Sequence, residues 1–159
     1  MTQTLSTNKH GVTMRTKQGM LGAVDIPWSE DLTLDEVSFR TLLGRLSTMG
    51  AHQLYVMGTA GEGYAMTDDR FKRVVDVFVD AMRGTGVDTQ VGVISLATEE
   101  VIDRIGYAHD LGVRSFQISL PSWGAATDAE MMTFFNMVCG AYPDSEFLHY
   151  NLVRAKRIL

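Results

Sequence analysis

The segment HQLYVMGTAGEGYAM, His52–Met66, carries the reading of the whole chain. Gln53–Met57 reads as a short buried strand that runs into Gly58-Thr59-Ala60-Gly61-Glu62-Gly63 and then into a helix. Glycines at 58, 61 and 63 let the backbone turn tightly and approach a ligand without side-chain interference. Amide N–H groups left unpaired in such a turn can hold an anion. Thr59 adds a hydroxyl able to relay a proton. The expectation is a ligand site at the carboxyl end of a parallel strand.

Working outward, the same strand-then-helix pattern repeats on both sides. Candidate strands are Leu21–Ile26, Gln53–Met57, Val91–Ser95, Ser115–Leu120 and Glu146–Asn151. They are short, apolar and mostly without clean alternation, as parallel strands covered by helices are. Helices are predicted over Thr33–Met49, Thr67–Arg83, Thr98–Leu111 and Thr127–Ala141, each opening on a threonine. Thr33 with Glu36 and Thr127 with Glu130 have capping-box spacing. In the second helix Phe71, Val74, Val75, Phe78, Val79 and Met82 follow helical spacing, opposite Asp69, Lys72, Arg73, Asp76 and Asp80. Gly50, Gly84 and Gly112 fall just past helix ends.

Strand-to-strand repeats of roughly 24 to 38 residues match βα units. Two architectures fit: a doubly wound open sheet, or part of a (β/α)₈ barrel. About five units would leave a barrel unclosed. Residues 19–159 read as one α/β domain, and residues 1–18 as a polar leader, ordered or disordered. Arg154–Leu159 reads as the opening of a further helix.

The chain has 159 residues, enough for one domain with a sizeable core. Its net charge of −5, without a basic run, argues against nucleic acid and against an anionic membrane surface. No apolar run reaches the roughly 18 residues of a membrane span, and the polar start does not resemble a secretory signal. The single cysteine, Cys139, fits a reducing compartment, so the cytoplasm is expected. Cys139 sits in an apolar helical pattern and reads as buried filler rather than a nucleophile.

Candidates for chemistry gather at strand ends: Asp25 and Trp28, Thr59 and Glu62, Ser95, Ser122 and Trp123, then Tyr150 and Asn151. Tyr150 as acid/base with Thr59 shuttling the proton makes a hydroxyl relay, against a core-packing role for the tyrosine. Glu62 reads as a structural acceptor before a general base. His149 faces the opposite side of its strand from Tyr150 and reads as packing. His52 and His109 lack a partner at metal-ligand spacing, so no metal is expected. The glycine loop matches neither the P-loop nor the dinucleotide fingerprint. A nucleotide or flavin domain is therefore a poor fit, and no cofactor is expected.

The loop and the residues after it, Gly58-Thr59-Ala60-Gly61-Glu62-Gly63-Tyr64-Ala65-Met66-Thr67-Asp68-Asp69, resemble the G-T-T-G-E signature of the dihydrodipicolinate synthase/N-acetylneuraminate lyase family. His149-Tyr150-Asn151-Leu152 resembles the family's Y-N-x-P segment at the fifth strand. Leu120-Pro121-Ser122-Trp123 resembles its P-P-Y-Y segment after the fourth. The resemblance runs from about Gly19 to Leu159. It implies a partial (β/α)₈ (TIM) barrel and class I aldolase chemistry. Position by position it implies Thr59 as proton relay and Tyr150 as acid/base. It also implies that the amides of Ala60 and Gly61 hold the carboxylate of a pyruvate-like 2-oxo acid, with Trp123 among the substrate contacts and an aldehyde as second substrate.

Four departures qualify what the resemblance implies. Ala60 stands where many members have a second threonine, and Val153 replaces the proline of Y-N-x-P. Ala155 stands where the lysine-pathway enzymes carry an arginine, and Trp123 replaces a tyrosine. Ala155 and Trp123 together favour a sugar-acid aldolase or hydratase-aldolase branch over the lysine-pathway enzyme. The family's Schiff-base lysine ends a sixth strand. The five-unit reading contains no such strand, and none of Lys9, Lys17, Lys72 or Lys156 ends a strand. The expectation is a truncated, N-terminal part of an aldolase, inactive alone. The alternative is a non-catalytic half-barrel that binds a small carboxylate or assembles with a partner. Exposed first and fifth edges predict association, with a homo-oligomer as the simplest form.

Overall fold

The computed structural model describes residues 5–7, 13–15 and 19–153. The first two segments, β1 (Leu5–Thr7) and β2 (Thr13–Arg15), pair antiparallel with Ser6 opposite Met14. This ladder lies within the expected polar leader. The expected helix opening at Arg154–Leu159 lies outside the described residues.

From Leu21 onward, strand and helix alternate as the periodicity predicts. The elements are β3 (Leu21–Ala23), α1 (Glu36–Ser47), β4 (Gln53–Val56), α2 (Asp68–Met82) and β5 (Asp88–Gly92). They continue with α3 (Thr98–Asp110), β6 (Ser115–Ile118), α4 (Asp128–Ala141) and β7 (Glu146–His149). The sheet order is β3-β4-β5-β6-β7, with every neighbouring pair parallel. A doubly wound sheet reverses its strand order at a switch point. Here each strand lies beside its predecessor in sequence, the progression of a barrel wall. The order removes the doubly wound alternative. The chain forms a partial (β/α)₈ barrel of five strands, and among the described residues β3 and β7 are not paired to each other.

The ladders are shorter at their carboxyl ends than the apolar runs suggested. Single bonds continue beyond them, Val24 N to Tyr55 O (2.9 Å) and Val93 N to Gln117 O (3.0 Å), as the backbone bends into the strand-end loops. β5 starts three residues earlier than expected, because Asp88, Thr89 and Gln90 pair with Gln53, Leu54 and Tyr55. Backbone pairing does not require apolar side chains, so that polar start was invisible to hydropathy.

Strand residues alternate between two environments. Leu54, Val56, Val91, Phe116 and Ile118 are fully buried in one cluster with Phe71, Val75, Phe78, Ile105 and Val138 of the helices. Each such side chain removed from water stabilises the fold by about 1.5–3 kcal/mol. Gln53, Tyr55, Gln90 and Gln117 occupy the other, concave face. The register places Tyr55 beside Gln90, and Gly92 beside Gln117.

Local capping follows the sequence except at α1 and α3. At α4, the Thr127 hydroxyl accepts from Glu130 N (3.3 Å) and the Glu130 carboxylate accepts from Thr127 N (2.8 Å), the expected box. At α2, Thr67 accepts from Arg70 N. At α1 the cap is Asp35, accepting from Ser38 N at 3.0 Å, because Thr33 is already held by the Asp31 carboxylate. At α3 the cap position is Ala97 and has no side chain to offer, so Thr98 is the first helical residue. Gly50, Gly84 and Gly112 all take positive φ just past helix ends.

Candidate functional site

The site is built around the exit of β4. After Val56 the chain reverses sharply: Met57 takes φ +66° and Glu62 takes φ +52°, both in the left-handed region. Two bonds close the turn, Glu62 N to Thr59 O (3.2 Å) and Gly63 N to Gly58 O (3.3 Å). A 3₁₀ turn, Gly63–Ala65, then leads to α2. Gly63 is required here. A Cβ on it would sit 2.3 Å from the Met57 carbonyl oxygen, and that oxygen is backbone and cannot swing aside. Among the described residues, the amides of Thr59, Ala60 and Gly61 donate to no carbonyl or side-chain oxygen. Thr59 is half-buried, Ala60 exposed and Gly61 buried. Successive N–H groups without a partner in a closed turn are of the kind that can hold an anion.

Tyr55 lies directly beneath this loop. A Cβ on Gly58 would come within 2.8 Å of the Tyr55 hydroxyl, so the phenol reaches the first residue of the turn. Burial pushes the Tyr55 phenol up from its ordinary value. The neighbouring Tyr150 pushes it further, while a hydrogen bond from Gln117 works the other way. Asp25, at the end of β3, adds a smaller push in the same direction. Tyr55 thus lies under the glycine loop and within electrostatic reach of Tyr150 at the end of β7.

Tyr150 follows β7 and is half-buried, its amide donating to Ile118 O at 2.7 Å. His149 faces the helices, its ring edge-on to Phe135 with centroids 5.0 Å apart. Alternation therefore sets Tyr150 toward the concave face, where Tyr55 lies. Burial lowers the His149 pKa below its ordinary value.

The remaining candidates separate from this group. Trp123, in the loop after β6, is 84% exposed. Ser122 and Asn151 are exposed as well. Ser95 is buried, and its hydroxyl donates to the Glu100 carboxylate. Glu62 is exposed and its side chain caps no helix, while its backbone carbonyl accepts from Ala65 N. Trp28 is half-buried beneath the guanidinium of Arg70. His52 Nδ1 accepts from Met20 N (3.3 Å), and His109 pairs with Asp144 (3.0 Å). Burial raises the Cys139 thiol, which keeps it protonated and unreactive. No group of three potential metal ligands occurs among the described residues. A groove of about 500 Å³ between the start of α3 and α4, lined by Leu120, Pro121, Ala126 and Phe134, contains none of Thr59, Ala60, Gly61 or Tyr150.

Sequence reasoning missed two contributors. Tyr55 was hidden inside an apolar run, although the alternation Leu54-Tyr55-Val56 already placed it opposite the core. Arg104 looked like one polar residue of α3, yet it is buried and donates to the carbonyls of Gly63 and Met66 at the loop's exit.

The dihydrodipicolinate synthetase family model matches residues 16–155. The chain belongs to this family. Among its curated relatives, the 4-hydroxy-tetrahydrodipicolinate synthase of Methanothermobacter thermautotrophicus is 27% identical over 135 residues, covering 85% of this chain and 47% of that protein. A Ruminococcus gnavus sialic acid aldolase, solved as a catalytic lysine mutant, superposes with a TM-score of 0.82 at 19% identity. The match covers 89% of this chain and 46% of that one. A prophage protein of the dihydrodipicolinic acid synthase family from E. coli K12, solved in complex with pyruvate, gives 0.80 at 20% identity, covering 85% and 45%. At such identities the two structures speak for the fold alone. This dihydrodipicolinate synthetase-family chain spans about half the length of the curated relatives it matches. No helix among its described residues is long and apolar enough to cross a membrane.

Proposed function

We propose that residues 19–153 form the carboxylate-holding and proton-relaying part of a class I aldolase site for a pyruvate-like 2-oxo acid. The observation that carries this reading is the closed Gly58–Gly63 turn, with the amides of Thr59, Ala60 and Gly61 left unengaged above Tyr55. In this reading the amides of Ala60 and Gly61 bind the substrate carboxylate, Tyr150 is the acid/base and Thr59 passes the proton. Tyr55, kept protonated by burial, is a hydrogen-bond donor beside Tyr150. Trp123 contacts the aldehyde partner. Family membership and the pyruvate complex of the E. coli relative support a 2-oxo acid as ligand.

The reading assigns the Schiff-base amine to none of the four lysines. Lys72 is paired with Asp68 on the surface of α2 (2.6 Å). Lys9, Lys17 and Lys156 lie outside the described residues. In this reading the residues given form no Schiff base on their own. Its single cysteine favours the cytoplasm. Borohydride reduction with pyruvate followed by intact mass tests the assignment. Unmodified chain is expected, and a stable pyruvyl adduct would overturn it.

A second reading, a half-barrel that assembles with a partner, is favoured by one observation. Among the described residues β3 and β7 are each paired on one side only, which leaves two open sheet edges. Assembly as a homo-oligomer would cover them. Sedimentation of the purified chain decides it: a dimer or larger species is expected, and a lone monomer at high concentration speaks against it.

A further inference from the structure

We propose that Arg104 is a positioning residue for the Gly58–Gly63 loop, fixing its exit so that the Ala60 and Gly61 amides keep the geometry a carboxylate needs. The proposal rests on the carboxylate reading above. Arg104 lies inside α3 and is buried, yet its partners are mainly loop carbonyls. Nη1 donates to Gly63 O (3.2 Å) and to Ile94 O (2.8 Å). Nη2 donates to Met66 O (3.0 Å) and to the Glu100 carboxylate (2.7 Å). The guanidinium also lies over the Phe71 ring, 4.9 Å from its centroid. Glu100 is itself held by the Ser95 hydroxyl. One planar fork therefore ties the end of the glycine loop, the segment entering α2, the segment leaving β5 and the first turns of α3.

The choice of residue carries the argument. A buried cation is costly unless its charge and hydrogen bonds are met. An apolar side chain at the same helical position would fill the space without that cost. What arginine adds is several donors in a rigid plane, aimed in fixed directions. Nε has no hydrogen-bond partner among the described residues, so the grip lies in Nη1 and Nη2. Nη1 reaches Gly63, the residue whose amide closes the loop on Gly58 O at 3.3 Å, and Nη2 reaches Met66 just beyond it. Holding Gly63 by its carbonyl and its amide together fixes the pitch of the turn. A lysine keeps the charge but not the fork.

The test uses the chain as it is, labelled with ¹⁵N. Pyruvate is titrated while the Ala60 and Gly61 amides are followed, and hydrogen exchange is read at Glu62 and Gly63. In Arg104→Lys, pyruvate affinity is expected to fall about tenfold and Gly63 exchange to rise about tenfold, with Leu54 and Val91 exchange unchanged. Glu100→Gln, at a side chain that is 42% exposed, should give a smaller change of about threefold in the same direction. A merely structural role would raise exchange throughout the core and leave affinity for the folded form alone. Pyruvate affinity within twofold of the starting chain, with unchanged Gly63 exchange in either variant, overturns the proposal. If Arg104→Lys does not fold, the Glu100→Gln result decides. An unmodified chain that never responds to pyruvate refutes the carboxylate reading instead. Gly63 exchange then still separates a clamped loop from an unclamped one.

Discussion

The loop after β4 and the loop after β6 leave the same end of the sheet but are held by different means. Gly58–Gly63 is over-determined: closed by its own backbone bonds, packed on Tyr55, pressed against the Met57 carbonyl and gripped at its exit by Arg104. Pro121–Ala126 holds mostly exposed residues, Trp123 among them at 84% exposure, and runs into the Thr127–Glu130 capping box. One strand-end loop is thus closed and clamped through its backbone, while the other presents mostly exposed residues. That division suits a site in which an invariant group, the carboxylate, is held at one loop and a variable group is met at the other.

The contrast predicts unequal costs of mutation. Gly63→Ala drives a methyl group into backbone and should destabilise the chain by about 3 kcal/mol in urea unfolding. A loss under about 1 kcal/mol would mean that the turn yields, and the contrast would weaken.

An intermediate effect is expected at the end of β7, beside Tyr150. Burial depresses the His149 pKa in the folded chain below the ordinary 6.5. On acidification the unfolded chain takes up this proton first, so the contribution is complete above 6.5 and is lost as pH falls toward the folded value. Melting temperature should therefore drop more between about pH 7.5 and about pH 5.5 in the starting chain than in His149→Gln. Equal drops would show that His149 is not held neutral.

The smallest effect belongs to Trp123→Ala, expected to change stability by no more than about 0.5 kcal/mol because little of the ring is buried. A larger loss would show that the β6 loop is anchored through its tryptophan.

What could be read in advance follows the same division. The Gly58–Gly63 turn and the Thr127–Glu130 box are local, written in residues a few positions apart, and both were legible. Strand order was legible only through the family resemblance, which implied a partial barrel, because helical and strand periods do not say which neighbour a strand takes. Gln90 escaped notice because a buried glutamine on a concave face breaks the apolar pattern used to find strands. Arg104 escaped because its partners lie 38 and 41 residues away in sequence. Thr33 misled because its spacing to Glu36 was right while Asp31 had already engaged it.

The central claim is that the β4 loop holds a carboxylate through backbone amides. Titrating the ¹⁵N-labelled chain with pyruvate, and separately with its neutral amide, pyruvamide, tests it most directly. The account predicts saturable shifts at Ala60 and Gly61 with pyruvate and none with pyruvamide. Equal shifts with both compounds, or shifts confined to other residues, would contradict it.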